Sequence, residues 1–183
     1  YPRARVVKID AEKARAMPGV LAVLTAADVP VNAVGHLLYD WDVMTAEGDV
    51  THCVGDAIAL VVAEDAATLE KAKRAVKVEY EVLEPVRSIE EARAEGAPVL
   101  HKPYLAFGNW VTPENNICQQ RHVVRGDAAA ALAGAAHKVT RTFKTPFTEH
   151  AFLEPECAVA FPYKDGVKVC SSDQGAYDSR KEI

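Results

Sequence analysis

No apolar run in this sequence is long enough to cross a bilayer. Cysteine is sparse, and Cys53, Cys118, Cys157 and Cys170 include no Cys-x-x-Cys pair to pincer zinc. A chain of 183 residues is also too large to need a disulfide framework, so reduced thiols in a cytoplasmic protein are expected. Glycine appears in no Gly-x-Gly-x-x-Gly or P-loop pattern, and the isolated Gly55 and Gly126 suit turns. The histidines (His36, His52, His101, His122, His137 and His150) include no pair at the helical spacing of a zinc protease. His52 and Cys53 are adjacent, so on a strand they would face opposite ways and could not share an ion. No directly protein-ligated metal is expected. Basic charge is short as well: the net charge of −5 leaves no footprint for nucleic acid. No secretory signal leads the chain, which opens Tyr1-Pro2-Arg3 without an initiator Met, as expected where a natural N-terminus has been removed.

What is present reads as globular. The hydrophobic share of 49% is ordinary, and the length suits one or two domains with a real core. Arg3 to Ile9 alternates as a strand. Asp10 caps a short helix over Ala11 to Ala16, which Pro18-Gly19 ends, and Val20 to Leu24 is a second strand. Pro30 to Glu47 has no sustained period and reads as a long loop, with Tyr39 and Trp41 anchoring it to the body or to a partner.

Val50 to Cys53 then reads as a strand, Gly55-Asp56 as a turn, and Ala57 to Ala63 as a strand buried on both faces. Asp65 caps a helix over Ala66 to Val76, supported by a Glu70–Arg74 pair. In the strand Lys77 to Val82, Val78, Tyr80 and Val82 share one face. This order indicates an α/β or α+β layer.

Four prolines interrupt Glu84 to Asn116, where Ser88 and Glu91 start one short helix that Gly96 stops. The rest of that stretch reads as connector over another part of the molecule. A second unit begins near Ile117. Gly126-Asp127 opens an alanine-rich helix to about Ala136, Lys138 to Lys144 is a strand, and Cys157–Phe161 with Val167–Ser171 form a hairpin around Lys164-Asp165-Gly166.

Two clusters carry possible chemistry. Cys157 with His150 and Glu154 has the types of a thiol triad, but all lie in one short segment, and Cys157 reads as a core thiol in a buried strand. In Glu149-His150-Ala151-Phe152-Leu153-Glu154-Pro155, Pro155 makes Glu154 extended, placing its carboxylate to cap backbone or line a cavity.

His150, Leu153, Glu154 and Pro155 match the His-x-x-Leu/Met-Glu-Pro segment that precedes the first hairpin of the cofactor domain in the xanthine dehydrogenase/aldehyde oxidase family. Gln174 matches the Gln that ends that hairpin's second strand. Met17-Pro18-Gly19-Val20, Leu24 to Pro30, Val54 to Ala63 and Val78-Glu79-Tyr80-Glu81 resemble the family's α/β hammerhead domain, and Gly126-Asp127 fits the entry to its second domain. Two positions depart: the usual Ser-Thr-Gln is Ser172-Asp173-Gln174, and the usual Gly-Gln turn is Gly55-Asp56.

The resemblance implies an α+β fold, with an α/β hammerhead domain over 1–95, a linker over 96–116, and the truncated start of a molybdenum-cofactor-binding α+β domain over 117–183. It implies an N-terminal fragment of the molybdopterin-binding subunit of a molybdenum hydroxylase. The substrate would be a purine, another N-heterocycle or an aldehyde, oxidised with water-derived oxygen, and iron–sulfur clusters and FAD would sit on partner subunits or domains. Gln174 is the cofactor-binding residue it carries over; His150 and Glu154 would support the cofactor loop. The glycine-rich Phe-Gly loop and the base glutamate would lie beyond Ile183. No catalytic residue, bound cofactor or metal ligand is therefore expected in the chain itself, nor a membrane or nucleic-acid partner. Apolar surface and self-association are expected of such a fragment. The alternative is a stand-alone, non-catalytic α+β binding domain that recognises a partner through Pro30 to Glu47.

Overall fold

The computed structural model describes residues 1–146, 148, 149, 151 and 157–183. They divide into two units, Tyr1–Cys118 and Gln119–Ile183. The first carries β1 (Ala4–Asp10), α1 (Glu12–Arg15), β2 (Val20–Leu24), β3 (Ala33–Val34), β4 (Leu38–Tyr39) and β5 (Trp41–Asp42). It continues with β6 (Leu60–Ala63), α2 (Ala66–Ala75), β7 (Lys77–Val82), α3 (Ile89–Arg93), β8 (Tyr104–Ala106) and β9 (Asn109–Val111).

β1 pairs antiparallel with β7, and β2 with β6. The α1 and α2 helices pack over the β2–β6 pair around Ala11, Ala14, Val23 and Ala72, each at most 4% exposed. Small side chains are what this core needs, because alanine lets the helix backbones approach closely. Asp65 caps α2 by accepting from Thr68 N at 2.9 Å, and Ser88 caps α3 through Glu91 N at 3.0 Å. Glu70 contacts Lys73 at 2.8 Å rather than Arg74, an exposed pair of little energetic weight.

Further expectations for this unit need correction. The strand expected over Ala57 to Ala63 shortens to β6 and is not buried on both faces: Leu60 is 50% and Val62 36% exposed. Helices cover one face only, so one row of the strand meets the core. Val50 to Cys53 is no strand; its pairing reduces to a bridge between Arg5 and Val50. The free edge of β1 is taken by loop backbone instead, through Gly48 N to Val6 O at 2.7 Å and Thr51 N to Ala4 O at 2.8 Å.

The stretch after Gly96, expected to be connector, contains the β8–β9 hairpin. Phe107 and Gly108 turn it with φ of 49° and 78°, a left-handed pair that glycine eases at one position. β8 pairs with β4, and Lys102 contacts Asp42 at 2.6 Å and Asp49 at 3.1 Å. The loop Pro30 to Glu47 is likewise fastened to its own unit. Asn32 and Met44 exchange hydrogen bonds of 2.8 and 3.0 Å, and Trp41 stacks on His52 at 5.5 Å.

The second unit carries α4 (Ala128–Gly134), β10 (Ala158–Tyr163), β11 (Gly166–Ser171) and α5 (Ala176–Glu182). Asp127 caps α4 by accepting from Ala130 N at 2.9 Å. Lys138 to Lys144 forms no strand. With no partner strand among the described residues, its backbone groups would stay unpaired. The expected hairpin is present, with Tyr163 opposite Gly166 and Lys164 at φ 52°. Cys157 is exposed rather than a core thiol, because among the described residues no further strand pairs with this two-stranded sheet. Val159, Tyr163 and Val167 are exposed as well.

Candidate functional site

The β11–α5 corner holds the residue singled out from the sequence. β11 ends where Ser172 N donates to Cys157 O at 3.2 Å, closing the open end of the hairpin. Asp173, Gln174 and Gly175 then turn the chain into α5, whose third and fourth amides, Asp178 N and Ser179 N, return to Gly175 O at 2.8 and 3.1 Å. Asp173 fixes the turn from inside. One carboxylate oxygen accepts from Gly175 N at 2.5 Å, and the other accepts from the Ser179 hydroxyl. The Ser179 bond, then the Gly175 bond, holds the Asp173 carboxyl below its ordinary value.

Gln174 sits on the outside of this turn, exposed. Among the described residues its amide makes no hydrogen bond. A groove of about 350 Å³ lies beside the corner, lined by Val169, Ser171, Asp173, Ser179 and Arg180, and Gln174 does not line it. A free, neutral amide suits a hydrogen bond to an oxygen ligand of a metal centre, since it donates without adding charge. It fits the implied molybdenum cofactor as one donor, not as a complete site. His150, Leu153, Glu154 and Pro155, all four matching residues of the His-x-x-Leu-Glu-Pro segment, lie outside the described residues.

The first unit contains a larger cavity, about 640 Å³, bordered by Arg3, Trp41, His52, His101 and Lys102. Sequence reasoning missed it because its walls come from segments far apart in the chain. The rings of His52 and His101 lie 6.1 Å apart. Its charged groups have partners: Lys102 meets Asp42 and Asp49, Arg5 meets Glu81, Arg87 meets Glu84, and Arg3 donates to the Glu84 carbonyl at 2.9 Å.

His52 and Cys53 do not point to opposite faces, because they lie in a turn, and both turn toward Asp56. The Asp56 carboxylate accepts from His52 N at 2.6 Å, from Cys53 N at 3.3 Å and from the Cys53 thiol at 3.0 Å. Its side chain is 8% exposed. Among the described residues, no group of three or more His, Cys, Asp or Glu could hold a metal ion.

Burial alone would raise the Asp56 carboxyl; the Cys53 thiol and the two amides overcome this and hold it below the ordinary 3.8. The shared bond also pushes the Cys53 thiol up from 9.0, so it stays protonated at neutral pH. A depressed folded value means that the stabilisation is full above the unfolded value and is lost as pH falls through the folded one. Asp56→Ala is therefore expected to cost about 1–2 kcal/mol at pH 7, by leaving loop amides unpaired. That deficit should shrink as pH falls below about 4, the ordinary aspartate value. Urea titration at both pH values measures it.

The comparisons with known proteins agree with this order of domains. Residues 1–84 match the family described as "Aldehyde oxidase and xanthine dehydrogenase, a/b hammerhead domain". Residues 111–183 match the "Molybdopterin cofactor-binding domain". The chain is 33% identical to the nicotinate dehydrogenase large molybdopterin subunit of Eubacterium barkeri, covering 100% of this chain and 40% of that protein. It is 35% identical to the xanthine dehydrogenase of Drosophila subobscura, covering 88% of this chain and 11% of that one. The solved aldehyde oxidoreductase of Desulfovibrio gigas superposes with a TM-score of 0.69 at 26% identity, over 93% of this chain and 19% of that one. The chain thus spans less than half the length of these relatives. On these matches and on its α+β architecture, the chain belongs to the aldehyde oxidase and xanthine dehydrogenase family of molybdenum enzymes.

Proposed function

We propose that this chain is part of the molybdopterin-binding subunit of a molybdenum hydroxylase acting on a purine, another N-heterocycle or an aldehyde. Residues 1–95, together with the β8–β9 hairpin that follows them, form its hammerhead unit, and the residues from 117 open the cofactor-binding domain. Iron–sulfur clusters and FAD sit on partner subunits or domains, and the assembly is cytoplasmic. The observation that carries the proposal is the pair of domain matches, in the family's order, along nearly the whole chain. Among the described residues no helix is long and apolar enough to cross a membrane.

When bound, the cofactor supplies the water-derived oxygen for the substrate carbon and takes up the electron pair released. This chain's part is to hold Gln174 on a fixed corner as a neutral donor to an oxygen of that centre.

Metal analysis tests the reading. The enzyme assembled around this chain is expected to hold about one molybdenum per chain and to oxidise one of the proposed substrates. The isolated 183-residue chain is expected to hold none and to be inactive, because a single neutral amide cannot offset the cost of binding an anionic pterin. Stoichiometric molybdenum in the isolated chain would overturn the assignment of one donor to these residues. An assembled enzyme without molybdenum would overturn the function.

A further inference from the structure

We infer that Asp173 is a positioning residue for Gln174, its carboxylate clamping the β11–α5 corner so that the amide at 174 is held in one orientation. The inference rests on the proposed role of Gln174 and deepens it. Asp173 precedes Gln174 directly. One of its oxygens accepts from Gly175 N at 2.5 Å, on the far side of Gln174. The other reaches the Ser179 hydroxyl, in the first turn and a half of α5. The backbone of Gln174 is therefore bracketed by a closed ring of hydrogen bonds, while its side chain is left outside, exposed and unbonded among the described residues.

The chemistry of the clamp is specific. Gly175 offers α5 no capping side chain, so an acceptor from a neighbouring residue must take up the free amide at the helix start. A carboxylate can accept from an amide and a hydroxyl together, one on each oxygen. Asp173 and Ser179 are thus two halves of one device. Asp178 bears on the same turn, its carboxylate and that of Asp173 both lying close to Gly175. Arg180 lines the adjoining groove with Asp173 and lies over the Tyr177 ring at 5.0 Å.

Two measurements test this. Hydrogen–deuterium exchange on the 183-residue chain reads the clamp itself. Asp173→Ala is expected to speed exchange at Gly175 about tenfold, and Asp173→Asn, which keeps one acceptor, by less. A double-variant cycle in the assembled enzyme reads its purpose. Asp173→Ala alone is expected to lower kcat about tenfold with KM little changed. Asp173→Ala combined with Gln174→Ala should be no slower than Gln174→Ala alone, since a positioner has nothing left to position. Effects that multiply would show that Asp173 acts elsewhere, and unchanged exchange at Gly175 would show that there is no clamp; either overturns the inference. If Gln174→Ala is slow but Asp173→Ala is not, only the inference fails. If Gln174→Ala is itself without effect, the role of Gln174 fails, and the inference with it.

Discussion

Gln174→Ala is expected to slow turnover of the assembled enzyme about 10²-fold, the usual loss when one preorganised donor is removed from a reacting centre. The loss should fall on kcat more than on KM. Gln174 is not proposed to touch the substrate, so its amide serves the reaction rather than binding. Gln174→Glu should be at least as damaging. The carboxylate has no N–H to donate and brings negative charge where a neutral donor is proposed. Folding should not suffer from either change, since the side chain is exposed and makes no hydrogen bond among the described residues. Steady-state kinetics on the variants, normalised to molybdenum content, separate this from lost cofactor. Turnover within twofold of the parent at equal molybdenum content would remove Gln174 from the site.

The second large effect concerns stability. Ala72→Leu is expected to destabilise the first unit by about 3 kcal/mol, near the upper end of the usual overpacking cost. Ala72 is 0% exposed and lies in the cluster with Ala11, Ala14 and Val23. The α1 and α2 backbones meet there across methyl groups, and an isobutyl side chain adds three carbons to a space those methyl groups already fill. Ala72→Gly should cost less, about 1–2 kcal/mol, through helix propensity and the lost burial of one methyl group. Urea unfolding followed by tryptophan fluorescence isolates this unit, because the chain's 2 tryptophans, Trp41 and Trp110, both belong to it. A loss under about 1 kcal/mol for the leucine variant would mean that the helices part freely at this contact.

Much of the fold was legible where a single side chain sets a local structure. Asp65, Ser88 and Asp127 each cap the helix that follows, because the acceptor and the free amides are close neighbours in sequence. β2, β7 and the β10–β11 hairpin follow from alternation and turn chemistry. Pairing across distance was less legible. Lys138 to Lys144 alternates like a strand yet has no partner among the described residues, whereas the β8–β9 hairpin forms from strands so short that period gives no signal. Its clue was Phe107-Gly108-Asn109, a glycine between short apolar runs, which proline spacing obscured.

The site divides in the same way. The polar tip that follows β11 could be read directly, but the Asp173–Ser179 bridge could not. It depends on how the chain bends into α5, and α5 itself carries too weak an apolar stripe to stand out. The burial of Cys157 was misread because an apolar strand looks the same whether or not another layer covers it.

Central to the proposed function is contact between the amide of Gln174 and the molybdenum centre. Electron paramagnetic resonance of that centre, compared between the assembled parent enzyme and Gln174→Ala at equal molybdenum content, tests it most directly. A changed spectrum is predicted, since a lost hydrogen bond to a metal ligand alters the metal's electronic surroundings. Superimposable spectra would contradict it.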